Sequence, residues 1–412
     1  MAPPMVEVSP ARPGLSRLAA VPIVAVLGAL LAFHSADPWC YLHDDNGRRY
    51  SSYARTHLVL GLGATGGRDF FFDPRAGRLV PYGHHPSGLG LLLAAWFRLT
   101  GDDGPRTARA LPAIFHLVSV LFLLDLLRRQ YARAPALMAA LALALVPMSS
   151  YFGKLVNFEP LVLPLTIGLV VAYWRWAEGG GARWLAIGLA LSALGSLIDW
   201  PMPLFLTLLG CDAVRRWRRG DGTRFLGAGA AACAAALMLV AAVAAWVSGP
   251  VGAREMTTAV GLRLLPDGHY AWWELAGKVI DYNRRYFTEP VLAASVVAAW
   301  LLVRDVRRHG RLPPRARLLA LFGALGIVPV LAFPGSARNH AYWQFYLLPY
   351  EILSLAYVLE RLGPHLSRRS RAFVYAGVAC WLVAASAFTL RTRYAKPSGY
   401  VVKRVRQFDR YL

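Results

Sequence analysis

Long apolar blocks alternate along the chain with short arginine-rich connections. Leu18–Ala36, Phe225–Trp246, Leu318–Phe333 and Phe373–Leu390 each approach or meet the roughly 20 residues that a helix needs to cross a hydrocarbon core of about 30 Å. The same pattern predicts spans near 107–127, 135–151, 160–177, 183–198, 201–214, 290–303 and 342–360. Pro86–Thr100 stands apart. As a helix it reaches only about 22 Å, so it is expected to lie along the interface with Pro86 at its first position.

Charge decides the threading. With Pro86–Thr100 outside the bilayer, the clusters Arg128/Arg129/Arg133, Arg215–Arg224, Arg304–Arg317 and Arg361–Arg371 all face the cytoplasm; if it crossed, all would be translocated. The expected fold is therefore an all-α polytopic membrane bundle of about eleven spans, one integral membrane domain over 1–412, with the N-terminus inside. An odd count puts the basic tail Arg391–Leu412 outside, against its charge, where an interfacial amphipathic segment is expected. Arg12 and Arg17 precede the first block, and Ala32–Ala36 faintly imitates a signal-peptide end; retention as the first span is expected.

Composition agrees. Of 412 residues 56% are hydrophobic, above the usual share for a soluble domain. The net charge of +22 would suggest nucleic acid in a soluble protein, but these arginines sit at span ends, where they orient helices and meet lipid headgroups, so no nucleic-acid partner is expected. Four cysteines without CxxC or Cys/His spacing support neither a disulfide framework nor a zinc finger.

This topology sorts chemistry to one side. Asp44, Asp45, His84, His85, Glu159, Asp199, His269, Glu274, Glu289 and His340 fall in external segments, while the cytoplasmic loops hold mostly arginine. The first external segment is the richest. Asp44 and Asp45, just past a span, suit a general base for an acceptor hydroxyl, although Asp-Asn-Gly is also ordinary turn chemistry. His84 and His85 precede Pro86 in extended chain, which should point them to opposite sides; each could contact a phosphate, and His84 is a candidate ligand for a divalent ion. Glu159-Pro160, Asp199-Trp200-Pro201 and Glu289-Pro290 share an acid before a proline-started helix, and capping explains all three; Lys154 and Asn157 add polarity around Glu159. Arg338, His340 and Tyr342 open a later span, where they could hold a phosphate and stack on a sugar, or simply form an interfacial belt.

In order and spacing, Asp44-Asp45-x-Gly47, Ala54-Arg55, Gly61, Tyr82, His84-His85-Pro86, Gly101 and Ala108-Arg109 resemble the dolichyl-phosphate-mannose-protein mannosyltransferase-like group. The aminoarabinose transferase of lipid A shares its GT-C superfold. The resemblance covers residues 15–200, the family-like module, with a weaker echo at Arg338–Pro349; 201–412 supplies the remaining spans and the external segment 249–289. It implies juxtamembrane helices in the first external loop and inverting transfer of a sugar from a polyprenyl-phosphate donor on the periplasmic face of the inner membrane. It places one essential acid on Asp44 or Asp45 and a second on Glu159, with His84, His85, Lys154, Arg55, Arg338, His340 and Tyr342 as substrate-binding candidates. Histidine before Pro86 departs from the lysine of the aminoarabinose-transferase pattern, which leaves direct or metal-bridged phosphate contact open. The acceptor implied is a protein, lipid or polysaccharide. A transporter of a lipid-linked glycan is the rival, but it should carry ionisable groups near the bilayer midplane and related halves, and no internal repeat is evident.

Overall fold

The computed structural model describes residues 17–73, 77–248 and 272–409, and helices dominate them. In chain order these are α1 (Arg17–Ala32), α2 (Asp44–Thr65), α3 (Gly88–Thr100), α4 (Pro105–Gln130), α5 (Arg133–Leu145), a short α6 (Pro147–Ser150), α7 (Phe158–Ala177), α8 (Arg183–Ser196), α9 (Pro201–Arg218), α10 (Arg224–Ser248), α11 (Trp272–Phe287), α12 (Glu289–His309), α13 (Pro314–Ala332), α14 (Pro334–Asn339), α15 (Leu348–Leu362), α16 (Arg368–Thr389) and α17 (Gly399–Asp409). Between α2 and α3 an antiparallel hairpin pairs β1 (Phe70–Asp73) with β2 (Arg78–Pro81), Phe70 opposite Pro81. Proline opens several helices where a backbone N–H has no partner to lose, as at Pro105, Pro201 and Pro314. Gly101 and Gly310 end α3 and α12 in the left-handed conformation, with φ of 68° at each.

Contacts between connections divide the bundle into two faces. On one face Tyr151 donates to the Leu42 carbonyl, Gly88 N donates to Leu197 O, Trp246 Nε1 reaches Gly66 O, and Tyr282 reaches Arg338 O. On the other, Ala132 N and Arg315 meet Glu360, Arg216 and Arg224 reach Ala177 O, and Arg361 pairs with Asp305. Helices α2, α3, α11 and α17 carry contacts of the first face. The chain is a multi-pass membrane protein. Five described helices are long and apolar enough to cross a membrane alone, or six if α5 and the segment to Lys154, which bend by 50° at Val146, count as one span. Its outer surface is apolar where lipid would touch it: Leu237 on α10 and Phe373 and Phe388 on α16 are each at least 70% exposed.

The first face carries the elements that build the site. α2 and α3 pack together, and a buried staple fixes the hairpin's entry: His57 bonds Asp69 at 2.9 Å and Thr65 at 3.1 Å, while Asp69 N donates to Ser87 Oγ. Two sequence expectations change here. Asp44-Asp45-Asn46-Gly47 is not a turn but the buried first turn of α2, where Gly47 lets the Trp39 ring lie against the helix. The interfacial helix starts at Gly88 rather than Pro86, and Gly88 N, free at the helix start, donates to the Leu197 carbonyl at 2.9 Å. A Cβ at Gly88 would meet that carbonyl, which is backbone and cannot swing away. Gly88→Ala is expected to cost about 1–3 kcal/mol through overpacking, read as a lower melting temperature in detergent. The basic tail also finds its place: Ser398 N donates to Cys40 O at 2.7 Å, so α17 lies on the same face as the first loop.

Candidate active site

Two cavities open on this face, and the adjacent acids Asp44 and Asp45 border different ones. Consecutive residues on a helix point about 100° apart, which is enough to divide them. The first cavity, about 450 Å3, is walled by Leu30, Phe33, Leu155, Ala387 and Leu390, with Asp44, Arg109 and Lys154 at its polar end. Asp44 is bound into the frame there. Its Oδ2 accepts from Arg109 at 2.9 Å and from the backbone N–H groups of Tyr41 and Cys40. Arg109 donates as well to the carbonyls of Ser35, Asp37 and Pro38 and lies over the Trp39 ring at 4.5 Å. One guanidinium thus gathers the whole turn between α1 and α2. Burial raises the Asp44 carboxyl while Arg109 pulls it the other way. Lys154 donates to the Phe33 carbonyl.

The second cavity, about 390 Å3, is polar. α2 supplies Asp45, Asn46, Arg49 and Tyr50; the strand exit before α3 supplies Tyr82, His84 and His85; the start of α7 supplies Asn157, Phe158 and Glu159; Ser336, Asn339, His340 and Tyr342 close the far side, and α17 adds Tyr400, Val401 and Arg404. Asp45 and Glu159 are 6% and 2% exposed, so both carboxylates face the cavity rather than bulk water. Asn157 Nδ2 and Glu159 Oε2 are buried with no hydrogen-bond partner among the protein groups described. Burial holds His43 down to about 4, so it enters this wall as a neutral ring, packed edge-on to Tyr342 at 5.1 Å.

The expected opposition of His84 and His85 does not hold. Tyr82 stacks on both rings, at 5.2 Å and 6.4 Å, and both line the polar cavity. His85 also stacks on Phe158 at 4.0 Å and bonds Asp199 at 3.1 Å. The three acids do more than cap. Asp199 accepts the free Trp200 N–H at the start of α9 at 2.9 Å, and it also takes His85 and the Tyr346 hydroxyl at 2.8 Å. Glu289 takes Trp381. Asp199 is the residue that sequence reasoning passed over as a cap, although its position beside Trp200-Pro201 marked it.

Of the other candidates, His340 and Tyr342 join Asp45, His84, His85 and Glu159 around the polar cavity. Asp44 and Lys154 do not; they meet at the other cavity. Arg55 borders neither, because it pairs with Asp103 at 2.5 Å on the surface, and Arg338 faces Glu274 at 3.5 Å. His269 lies outside the described residues, as do 249–271 generally. For His84 as a metal ligand, no three His, Cys, Asp or Glu side chains converge among the described residues.

Known proteins match this arrangement in fold. The chain superposes on ArnT from Cupriavidus metallidurans bound to undecaprenyl phosphate with a TM-score of 0.64 and 16% identity, covering 94% of this chain and 69% of that one. The fold is that of the GT-C glycosyltransferases. The archaeal oligosaccharyltransferase AglB from Archaeoglobus fulgidus, in complex with an inhibitory peptide and a dolichol-phosphate, matches with TM-score 0.55 and 14% identity over 93% of this chain and 56% of that one. The same oligosaccharyltransferase in complex with Zn and sulfate matches at 0.55 and 15%, over 92% and 54%. The chain thus spans little more than half the length of the oligosaccharyltransferase. In sequence, residues 84–246 match the dolichyl-phosphate-mannose-protein mannosyltransferase family model. That segment includes His84, His85, Lys154 and Glu159 but starts beyond Asp44 and Asp45, so the first-loop acids stand on geometry. No curated protein matches the sequence.

Proposed function

We propose that the chain is a glycosyltransferase that moves a sugar from a polyprenyl-phosphate donor to an acceptor hydroxyl within the polar cavity. The observation that carries this reading is the convergence of Asp45, Glu159, the unpartnered Asn157 amide and the basic groups Arg49, His84, His85 and His340 on one 390 Å3 space. Carboxylates for a hydroxyl proton and cationic or N–H donors for a departing phosphate are what such a transfer requires. ArnT with undecaprenyl phosphate and AglB with a dolichol-phosphate are similar in fold and support a donor of this class. The arginine clusters lie on the opposite face, which supports eleven crossings and a site on the periplasmic or equivalent side.

In this mechanism the acceptor oxygen attacks the anomeric carbon as the bond from that carbon to the phosphate oxygen breaks, inverting the centre. Asp45 takes the hydroxyl proton, and the polyprenyl phosphate leaves with both bonding electrons, its charge met by the basic groups of the wall. Glu159 and Asn157 hold sugar hydroxyls. Phe158 and Tyr82 offer stacking faces beside them. No step is routed through a metal. A transporter is disfavoured because Asp45, Glu159 and Asp199 cluster at helix ends on one face. Purified protein given radiolabelled polyprenyl-phosphate sugar is expected to release or transfer the label. Movement of intact donor across a vesicle membrane, without cleavage, would favour transport instead.

A further inference from the structure

The tail after the last long helix enters the polar cavity. α17 is positioned by the Ser398 N–H on Cys40 O at 2.7 Å and by Val401, which is buried against the cavity wall. Upstream, the buried Tyr394 ring stacks on Tyr151 at 4.0 Å, so the link to α17 is held as well. From this anchored helix Arg404 reaches Asp45, Nη1 to Oδ2 at 2.9 Å, and the Tyr400 hydroxyl at 3.0 Å. Its side chain is one-third exposed, at the mouth, whereas the carboxylate it holds is 8% exposed.

We infer that Arg404 is a substrate-binding residue, the ligand at the cavity mouth for the phosphate of a polyprenyl-phosphate donor, and that it shields Asp45 until the donor arrives. The inference rests on the function proposed above. A guanidinium carries five donors, and among the described residues only Nη1 of Arg404 is engaged by side chains, so a phosphate can take the fork while the arginine remains on its helix. Its location suits a lipid-linked phosphate. The donor's chain must stay in the membrane while its headgroup reaches the cavity, so the phosphate passes the mouth, where Arg404 stands. Competition follows from the same contact: an arginine drawn toward phosphate loosens its hold on Asp45, and the carboxylate becomes available for the acceptor proton when the donor is in place.

The experiment uses the full-length protein in nanodiscs and two probes, a polyprenyl monophosphate and the neutral polyprenol of the same length. Arg404→Ala is expected to weaken binding of the monophosphate by about tenfold or more, as for loss of a charge-assisted bond, and to change polyprenol binding by less than about twofold. Arg404→Lys should recover part of the loss. In transfer, the KM for donor should rise while kcat at saturating donor stays within about threefold. Equal weakening toward both probes would mean that α17 only supports the fold, and unchanged monophosphate affinity would mean that Arg404 does not touch phosphate; either overturns the inference and leaves the proposed activity standing. A wild-type protein that binds no polyprenyl monophosphate would overturn both.

Discussion

Asp45→Asn is expected to lower transfer by about 10²–10⁴-fold with a fold that melts as the wild type does. The amide keeps the shape and an oxygen for Arg404 but cannot take a proton at neutral pH. Asp45 is the carboxylate for which this matters, because it borders the cavity where the basic groups and the unpartnered Asn157 Nδ2 and Glu159 Oε2 also converge. Asp44→Asn should behave differently. Its oxygen is committed to Arg109 and two backbone N–H groups, so its loss should show first in stability. Measured side by side, melting temperature and initial rate separate the two acids. A fully folded Asp44→Asn protein without activity, beside an active Asp45→Asn, would move the base to the other cavity.

Arg109→Leu is the substitution expected to cost most stability, about 3–5 kcal/mol, the range for breaking a buried ion pair. Arg109 is 3% exposed, and its removal strands the Asp44 carboxylate inside the protein along with the carbonyls of Ser35, Asp37 and Pro38. Lysine should not rescue it, because a single ammonium cannot span acceptors spread across that turn. The double variant Asp44→Asn/Arg109→Leu should be less damaged than the sum of its parts, since the charge left unpaired by either change alone is gone. The check is a melting curve in detergent or lipid for the two single variants and the double. A single Arg109→Leu variant that melts with the wild type would remove Arg109 as the organiser of the first loop.

Much of the architecture was legible because bilayer physics writes directly into sequence. Apolar length and arginine placement sorted the connections to two faces, and the contacts of Glu360, Arg216 and Arg361 on one face and of Tyr151, Gly88 and Ser398 on the other follow that sorting. The local chemistry was less legible. Asp44-Asp45-Asn46-Gly47 carries turn residues, yet the Trp39 ring and Arg109 impose a helix start there that no local propensity announces. The split of Asp44 and Asp45 between cavities depends on helical phase, which is unknowable until the helix start is fixed. Arg55 and Arg338 looked like phosphate ligands by residue type, but Asp103 and Glu274, tens of residues away, engage them. Asp199 and Arg404 were hidden for the same reason. Their partners His85, Tyr346 and Asp45 are more than a hundred residues away, and long-range convergence leaves no periodicity to read.

The central claim is that the polar cavity between α2, the start of α7 and α17 receives a lipid-linked phosphate. The most direct test is an experimentally determined structure of the protein in nanodiscs saturated with a polyprenyl monophosphate. Phosphate density is expected in the polar cavity, within hydrogen-bond reach of the Arg49, His84 and Arg404 side chains. Phosphate density in the Asp44–Lys154 cavity, with the polar cavity free of it, would contradict a donor site there.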